Sequence, residues 1–552
     1  MMQDSSTTDS LHTAETTSER PWLGGWYWLA PILALASLRG FWAPDEPRYA
    51  QIAKEAWDSG SFLVLHLCGE LYPDKPPLVY WLAGALGKLS GWSEFAMRVP
   101  SILATIGSAW LAAKLARRWI SERVAAWTPA FYLGCAMVFE IGGRLQLDPL
   151  LSFFSMAALV LLADDVGGER AITRRTWLAG ACLGLGALAK GPVAWVPVGL
   201  ALVAWACLPK TLRFAPRRAW TAWIGLVVLA LLPVVTWAAL AIHFEPALAR
   251  PLLFGQHIGR ITKGDQHPGP VWDHLRSMPL LLLPWTFLFV AGASAAWRSF
   301  RQRENVGLVR IAWWFAVVFV FFSLIPPKRD LYLLPIYPAA AMIMAFAFDR
   351  MLRERRLPSW IGATTAALLA FVGGALAAAP LAVSFVRSRH PNWLGDVENP
   401  ASFARLCVPS GIVLVIAGIV AWVAARRSNA KAWADVIGVG LALALTTAAF
   451  VLVPAVDADK CARKLAEFLA TRPERPSILA CVGVKPEGIR FYGGGPAGSI
   501  GVEEALERDG ADFLAVCRDK EFDSLPESLR ARVREVGRGR IGARAVLVLA
   551  AK

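Results

Sequence analysis

Apolar residues in this chain gather into long, nearly unbroken runs, with little of the two-residue alternation of half-buried strands. Runs that span a bilayer, or nearly so, occupy 22–38, 100–116, 124–143, 149–163, 177–189, 192–208, 220–242, 277–297, 308–325, 331–348, 359–384, 404–425 and 431–453. A helix needs roughly 17–25 apolar residues to cross a hydrocarbon core. The pattern therefore predicts a polytopic α-helical membrane protein with about thirteen transmembrane helices. A further run, "LVYWLAGALGKL" at 78–89, is short and carries Lys88, so it is expected to lie in the interface.

The pattern changes beyond residue 456. "CARKLAEFLA" has the period of an amphipathic helix, "SILACVG", "DFLAVCR" and "ARAVLVLA" read as short buried strands, and "VEEALER" and "LPESLRARVREV" read as helices between them. That alternation predicts a small C-terminal α/β domain over 456–552. The cluster "FYGGGPAGSIG" lacks a nucleotide-binding spacing and is read as a surface turn. Residues 1–20 are polar, rich in Ser and Thr, and too poor in apolar residues to fold; a disordered cytoplasmic tail is expected. The transmembrane part then covers 21–455. Only Arg20 precedes the first run among several acids, so the run is expected to be a retained span and not a cleaved signal.

Composition sharpens the picture. Of 552 residues 56% are hydrophobic and 18% charged, yet the net charge is +15. If 78–89 does not cross, the loops "RRWISER", "DDVGGERAITRRT", "PKTLRFAPRRA", "RSFRQREN", "DRMLRERRLP" and "RRSNAK" all fall on one side and hold about twenty Lys/Arg, which the positive-inside rule assigns to the cytoplasm. The basic excess then needs no nucleic-acid partner. The N-terminus is placed in the cytoplasm, and the tail after Val453 on the opposite side. Eight cysteines are scattered without metal-ligand spacing; a Cys481–Cys517 disulfide stays open.

The loops facing away from the cytoplasm collect the reactive side chains. "DEPRYAQIAKEAWDSG" opens with Asp45, Glu46 and Arg48, then repeats Tyr49, Ile52, Ala53, Ala56 and Trp57 at helical spacing, which predicts a helix on the membrane surface with Asp45 at or beside its N-cap. Capping alone leaves Glu46 and Arg48 unexplained. Asp148 returns a second carboxylate to this side, again either a cap or a functional acid. Arg48 and Lys75 could grip a phosphate, Arg through paired donors and Lys as a point charge; the plainer reading is snorkelling toward headgroups. Lys328, Arg329 and Tyr337 add cationic and hydroxyl groups where a late span re-enters, or serve as interfacial anchors. His257 and His267 lie in the longest late outward loop, and His257 paired in space with Asp74 or Glu46 could hold a divalent ion.

Taken together, an outward "DEPRYA", then "KPPLVYWL", a second outward Asp and "KRDLYLLPIYP" before a late span resemble the lipid-carrier-dependent glycosyltransferases of the GT-C fold, nearest to the bacterial aminoarabinose lipid A transferase family. The resemblance implies a transferase that takes a sugar from an undecaprenyl-phosphate-linked donor to a periplasmic acceptor, lipid A phosphate first, at the inner membrane. It implies Asp45 as the essential carboxylate, Asp148 as a second active-site acid, Arg48 and Lys75 at the donor phosphate, Tyr72 and Tyr337 along the donor cavity, Glu46 and Lys328 among substrate contacts, and Asp74 with His257 at a metal position. The chain departs from that family in reading Asp74-Lys75-Pro76 where aminoarabinose transferases favour Glu-Lys-Pro, which bears on both the metal and the sugar. A relative acting on protein or another glycan, or a lipid-linked transporter, is the alternative; Lys190-Gly191-Pro192, between two short apolar runs, is the one transporter-like feature, and no second half repeats it.

Overall fold

The computed structural model describes residues 20–163, 169–214, 218–252, 269–389, 400–542 and 544–552. The 1–20 tail therefore lies outside it except for Arg20. Every one of the thirteen apolar runs is occupied by a helix or a helix pair. Among the described residues seven helices are long and apolar enough to cross a membrane, or nine if two bent pairs each count as one span. The pairs are Glu122–Leu133 with Ala136–Gly142, bent by 64°, and Asp273–Leu281 with Thr286–Gln302, bent by 116°. The remaining apolar runs carry the short helices Gly24–Leu38, Asp148–Leu162 and Pro192–Ala206 and the helix Glu169–Lys190, which bears charge in its opening turns. The protein is a multi-pass membrane protein.

Leu78–Leu89 has 12 residues, about 18 Å at 1.5 Å each against a hydrocarbon core of about 30 Å. It packs beside the helix Asp45–Ser59, where Trp57 Nε1 donates to the Trp81 carbonyl at 3.2 Å. The apolar core of the bundle gathers aromatic rings edge to face, as Trp127 on Phe348 at 4.4 Å and Phe131 on Trp285 at 4.9 Å. Lipid tails are as apolar as leucine, so close packing replaces the hydrophobic effect between spans. The helices Ser359–Arg389 and Pro400–Arg426 accordingly meet at Gly373 and Gly411, where an added Cβ on Gly373 would lie 2.7 Å from the Gly411 carbonyl.

The helix Asp45–Ser59 forms as expected, but it does not lie bare on a membrane surface. Its apolar residues Tyr49, Ile52, Ala53 and Ala56 are buried in a satellite core with Tyr72, Tyr80 and Leu147. Its polar face is covered by the C-terminal domain: Lys54 Nζ donates to the Phe491 carbonyl at 3.1 Å, and Arg490 pairs with Glu55 at 3.2 Å. Glu55 also accepts the Cys68 amide from the turn of a small hairpin, β1 (His66–Leu67) and β2 (Glu70–Leu71).

The C-terminal domain carries β3 (Leu479–Val482), β4 (Ala497–Gly498), β5 (Leu514–Arg518), β6 (Val533–Ile541) and β7 (Arg544–Ala551), arranged β4-β3-β5-β7-β6. β3 runs parallel to β4 and β5, while β7 is antiparallel to β5 and β6. "LPESLRARVREV" is helical only over Glu527–Arg532; from Val533 it becomes β6, because Val533, paired with Ala551, lies under the sheet. Cys481 and Cys517 belong to cores on opposite faces of the sheet and are free thiols.

The domain is docked by polar contacts with the chain leading to Asp45. Asp457, near the end of the helix Ala430–Lys460, accepts the Gly40 amide at 2.8 Å and the Trp42 indole at 2.7 Å. Tyr492 Oη accepts the Phe41 amide at 2.8 Å and donates to Glu94 at 3.1 Å, and Arg463 pairs with the same Glu94. The approach is close: a Cβ on Gly40 would sit 2.5 Å from Cys461 Sγ.

Candidate active site

Asp45 is the first residue of its helix, and its side chain caps nothing. The carboxylate is 8% exposed and is held between two cations: Arg48 Nη2 donates to Oδ1 at 2.8 Å, and Arg329 Nη2 to Oδ2 at 3.1 Å. Gln146 Nε2 approaches the same Oδ2 at 3.4 Å. One negative and two positive groups leave this cluster net positive. Each guanidinium has five N–H donors in a planar fork, so both retain donors for an incoming anion.

The adjacent carboxylate has a different duty. Glu46 is buried and takes Arg39 Nη2 on Oε2 and Arg98 Nε on Oε1, both at 2.8 Å, with the Leu145 amide at 3.0 Å. Burial works against its charge, but Arg98 and Arg39 outweigh burial and hold the carboxyl below its usual range. Arg98 is wholly buried and also donates to the carbonyls of Ala36, Arg39 and Gly40. Glu46 thereby ties together the end of the first span, the helix Glu94–Trp119 and the loop before Asp148.

That loop brings the second acid close. Leu145 meets Glu46, Gln146 meets Asp45, and Asp148 follows two residues later at the start of the helix Asp148–Leu162. Asp148 is buried and paired with Lys190, the last residue of the helix Glu169–Lys190, whose C-terminal end favours a cation. Gly191, at φ 98°, turns the chain there with a conformation that a side chain rarely adopts. Lys190 also lies 5.1 Å from the ring centre of Tyr332, and a narrow cleft is lined by Asp148, Lys190, Phe322, Tyr332 and Pro335. Lys190-Gly191-Pro192 thus belongs to this acid centre.

A cluster of tyrosines lies beside the acids. Tyr49 lies within electrostatic reach of Asp45, Tyr72 and Asp148. Burial first, then the charge of Asp45, pushes its hydroxyl well above the usual range, so it remains a proton donor at neutral pH. Tyr49 and Tyr72 both set their rings edge-on to Tyr80, at 5.9 and 6.2 Å. Lys75 and Asp74 are half-buried in the link from β2 to the helix Leu78–Leu89, just after Tyr72.

Other candidates are placed elsewhere. Lys328 turns back to donate to the carbonyls of Ser323 (2.7 Å) and Ile325 at the end of the helix Val306–Leu324, a C-terminal cap of orphan acceptors. Arg329, next in sequence, is the cation that reaches Asp45. Tyr337 is fully buried in the bundle core. His257 and His267 lie outside the described residues. Among the described residues no three His, Cys, Asp or Glu side chains are grouped to hold a metal ion. Gln146 carried no sequence signal beyond its place before Asp148. Arg98 did carry one, since a charge inside an apolar helix marks a buried partner.

Known proteins share this layout. Residues 74–237 match the family model described as dolichyl-phosphate-mannose-protein mannosyltransferase. The chain superposes on the crystal structure of ArnT from Cupriavidus metallidurans bound to undecaprenyl phosphate with a TM-score of 0.72, covering 96% of this chain and 97% of that one at 22% identity. This is the ArnT-like GT-C fold. The undecaprenyl phosphate-α-4-amino-4-deoxy-L-arabinose arabinosyl transferase of Pseudomonas aeruginosa is 33% identical over 338 residues, 60% of this chain, and the chain spans 59% of that relative's length. The enzyme of the same name from an Enterobacter species is 26% identical over 73% of this chain and 72% of its own. The chain resembles the lipid-carrier-dependent GT-C transferases, and the ArnT-like fold sets the Asp45 cluster, the Asp148–Lys190 pair and the docked C-terminal domain at one end of its bundle.

Proposed function

We propose that the chain is a membrane glycosyltransferase that moves a sugar, 4-amino-4-deoxy-L-arabinose, from an undecaprenyl-phosphate-linked donor to a lipid A phosphate on the periplasmic side of the inner membrane. The observation that carries this reading is the buried Asp45 carboxylate between Arg48 and Arg329. Breaking a sugar–phosphate bond builds positive charge on the ring and negative charge on the departing lipid phosphate, and preset cations at the phosphate lower that barrier. Arg48 and Arg329 suit this duty, with Lys75 as a further candidate; the isoprenoid would lie along the apolar flank of the bundle. An acceptor phosphate is already ionised at neutral pH and needs no general base, so Asp45 would orient the acceptor and balance charge on the ring. Asp148, paired with Lys190, would steady the far side of the site. A single displacement of this kind inverts the anomeric carbon.

The test is mass spectrometry of lipid A from cells with and without the protein, together with Asp45→Asn. An aminopentose adduct that needs the protein and vanishes in the variant supports the reading. Unmodified lipid A beside a newly decorated protein or glycan changes the acceptor, and full activity of Asp45→Asn removes Asp45 from the chemistry.

A further inference from the structure

The turn Asp330–Ile336 serves both acid centres. Immediately before it, Arg329 reaches Asp45; within it, the Tyr332 ring lies under Lys190, the partner of Asp148, and the Tyr332 amide closes onto the Arg329 carbonyl at 3.0 Å. A small shift of this turn would loosen both centres together. What holds it is a cluster contributed by the helix Asp273–Leu281. His274, with no exposed surface, places Nδ1 3.2 Å from Asp330 Oδ1, and Ser277 Oγ donates to the same oxygen at 2.5 Å. Just before that helix, the Gly269 amide approaches the Pro326 carbonyl at 3.4 Å, a second attachment to the strand of chain leading into the turn.

We propose that His274, assisted by Ser277, is a positioning residue that acts through Asp330 to aim Arg329 at Asp45 and Tyr332 at Lys190. The imidazole touches neither acid centre. Its Nδ1 is its one polar attachment among the described residues, since Nε2 meets no hydrogen-bond partner there. The imidazole reaches the turn through its bond to Asp330. With Nδ1 as donor, Asp330 receives two hydrogen bonds on one oxygen, which hold it toward the helix Asp273–Leu281 and leave Arg329 for Asp45.

The inference rests on the transferase reading, and its test separates the two. In the full-length protein in detergent, with an undecaprenyl-phosphate-linked sugar as donor, His274→Leu is expected to lower kcat/KM about tenfold. His274→Asn, whose amide nitrogen can replace Nδ1, is expected to return to within about threefold of the parent. In an Arg329→Met background, His274→Leu should cost less than a further twofold, because residues acting through one group are non-additive. Additive losses, or no rescue by Asn, would overturn the proposal. If His274→Leu does not accumulate, Ser277→Ala must show the same non-additivity with Arg329→Met. A readout that needs no turnover is amide hydrogen exchange: His274→Leu should speed exchange within 331–336 and His274→Asn should restore it. An inactive parent protein with this exchange pattern would sink the transferase reading and keep the positioning role; unchanged exchange would sink the positioning role itself.

Discussion

Arg329 Nη2 lies 3.1 Å from Asp45 Oδ2, across 284 residues of sequence. With Arg48 on the other oxygen, it makes the Asp45 carboxylate the centre of a two-cation clamp. A lysine cannot reproduce the planar fork that lets one guanidinium serve a carboxylate and a phosphate at once. Arg329→Lys is therefore expected to lower sugar transfer about tenfold or more, and Lys328→Met far less, as measured by initial rates with saturating acceptor. Equal losses would mean that Lys328 leaves its helix carbonyls to serve the reaction.

Asp148 and Lys190 form a buried ion pair with side chains 5% and 10% exposed. Removing one partner strands the other, which typically costs about 3–5 kcal/mol. Asp148→Asn should thus lower thermal stability as well as activity. The double variant Asp148→Asn with Lys190→Met should regain much of the stability and none of the activity. Parallel recovery of both, read by thermal unfolding and transfer assays on the same preparations, would show that the pair is structural alone.

Glu46 offers a pH-dependent prediction. Its carboxyl is held below its usual value, so its stabilising contribution is full above the ordinary glutamate pKa of about 4.3 and is lost as pH falls through the lower, folded value. Glu46→Gln should cost about 3 kcal/mol or more at pH 7, because Arg39 and Arg98 stay buried without a counter-charge. The gap between parent and variant should hold from pH 8 to 6 and shrink below about pH 4. A gap independent of pH down to acid unfolding would contradict this account.

Tyr492→Phe removes the acceptor of the Phe41 amide and the donor to Glu94 in one step. An orphaned buried amide costs about 1–3 kcal/mol, and here the loss falls on the seam between the two parts of the chain. Limited proteolysis should release the C-terminal domain faster, and transfer should fall although the residue is remote from Asp45's oxygens. Unchanged proteolysis would place the strength of the seam in Asp457 and its bonds to Gly40 and Trp42.

The helical architecture was legible because apolar runs of membrane length have few alternatives, and the C-terminal strands because their apolar residues are short and bounded. The short helices Gly24–Leu38, Asp148–Leu162 and Pro192–Ala206 and the helix Glu169–Lys190 were legible on the same ground, each falling on an apolar run. Asp45, Arg48 and Asp148 drew attention as charges beside spans. Which cation pairs with which acid was hidden, since Arg329 and Lys328 are neighbours of one charge type and only the backbone direction into the turn decides that Lys328 faces helix carbonyls and Arg329 faces Asp45. The structural duty of Glu46 was hidden, because its partners Arg39, just past the first span, and Arg98, on the helix Glu94–Trp119, are distant from each other in sequence. The covering of the helix Asp45–Ser59 was equally invisible, because amphipathic period reports one buried face and says nothing about what protein lands on the polar one.

The docking of Tyr492, Arg463 and Asp457 onto the stretch before Asp45 sets an order of assembly. The ribosome makes the helix Asp45–Ser59 long before the segment that braces it, so the contacts around Asp45 close only after synthesis has passed Tyr492.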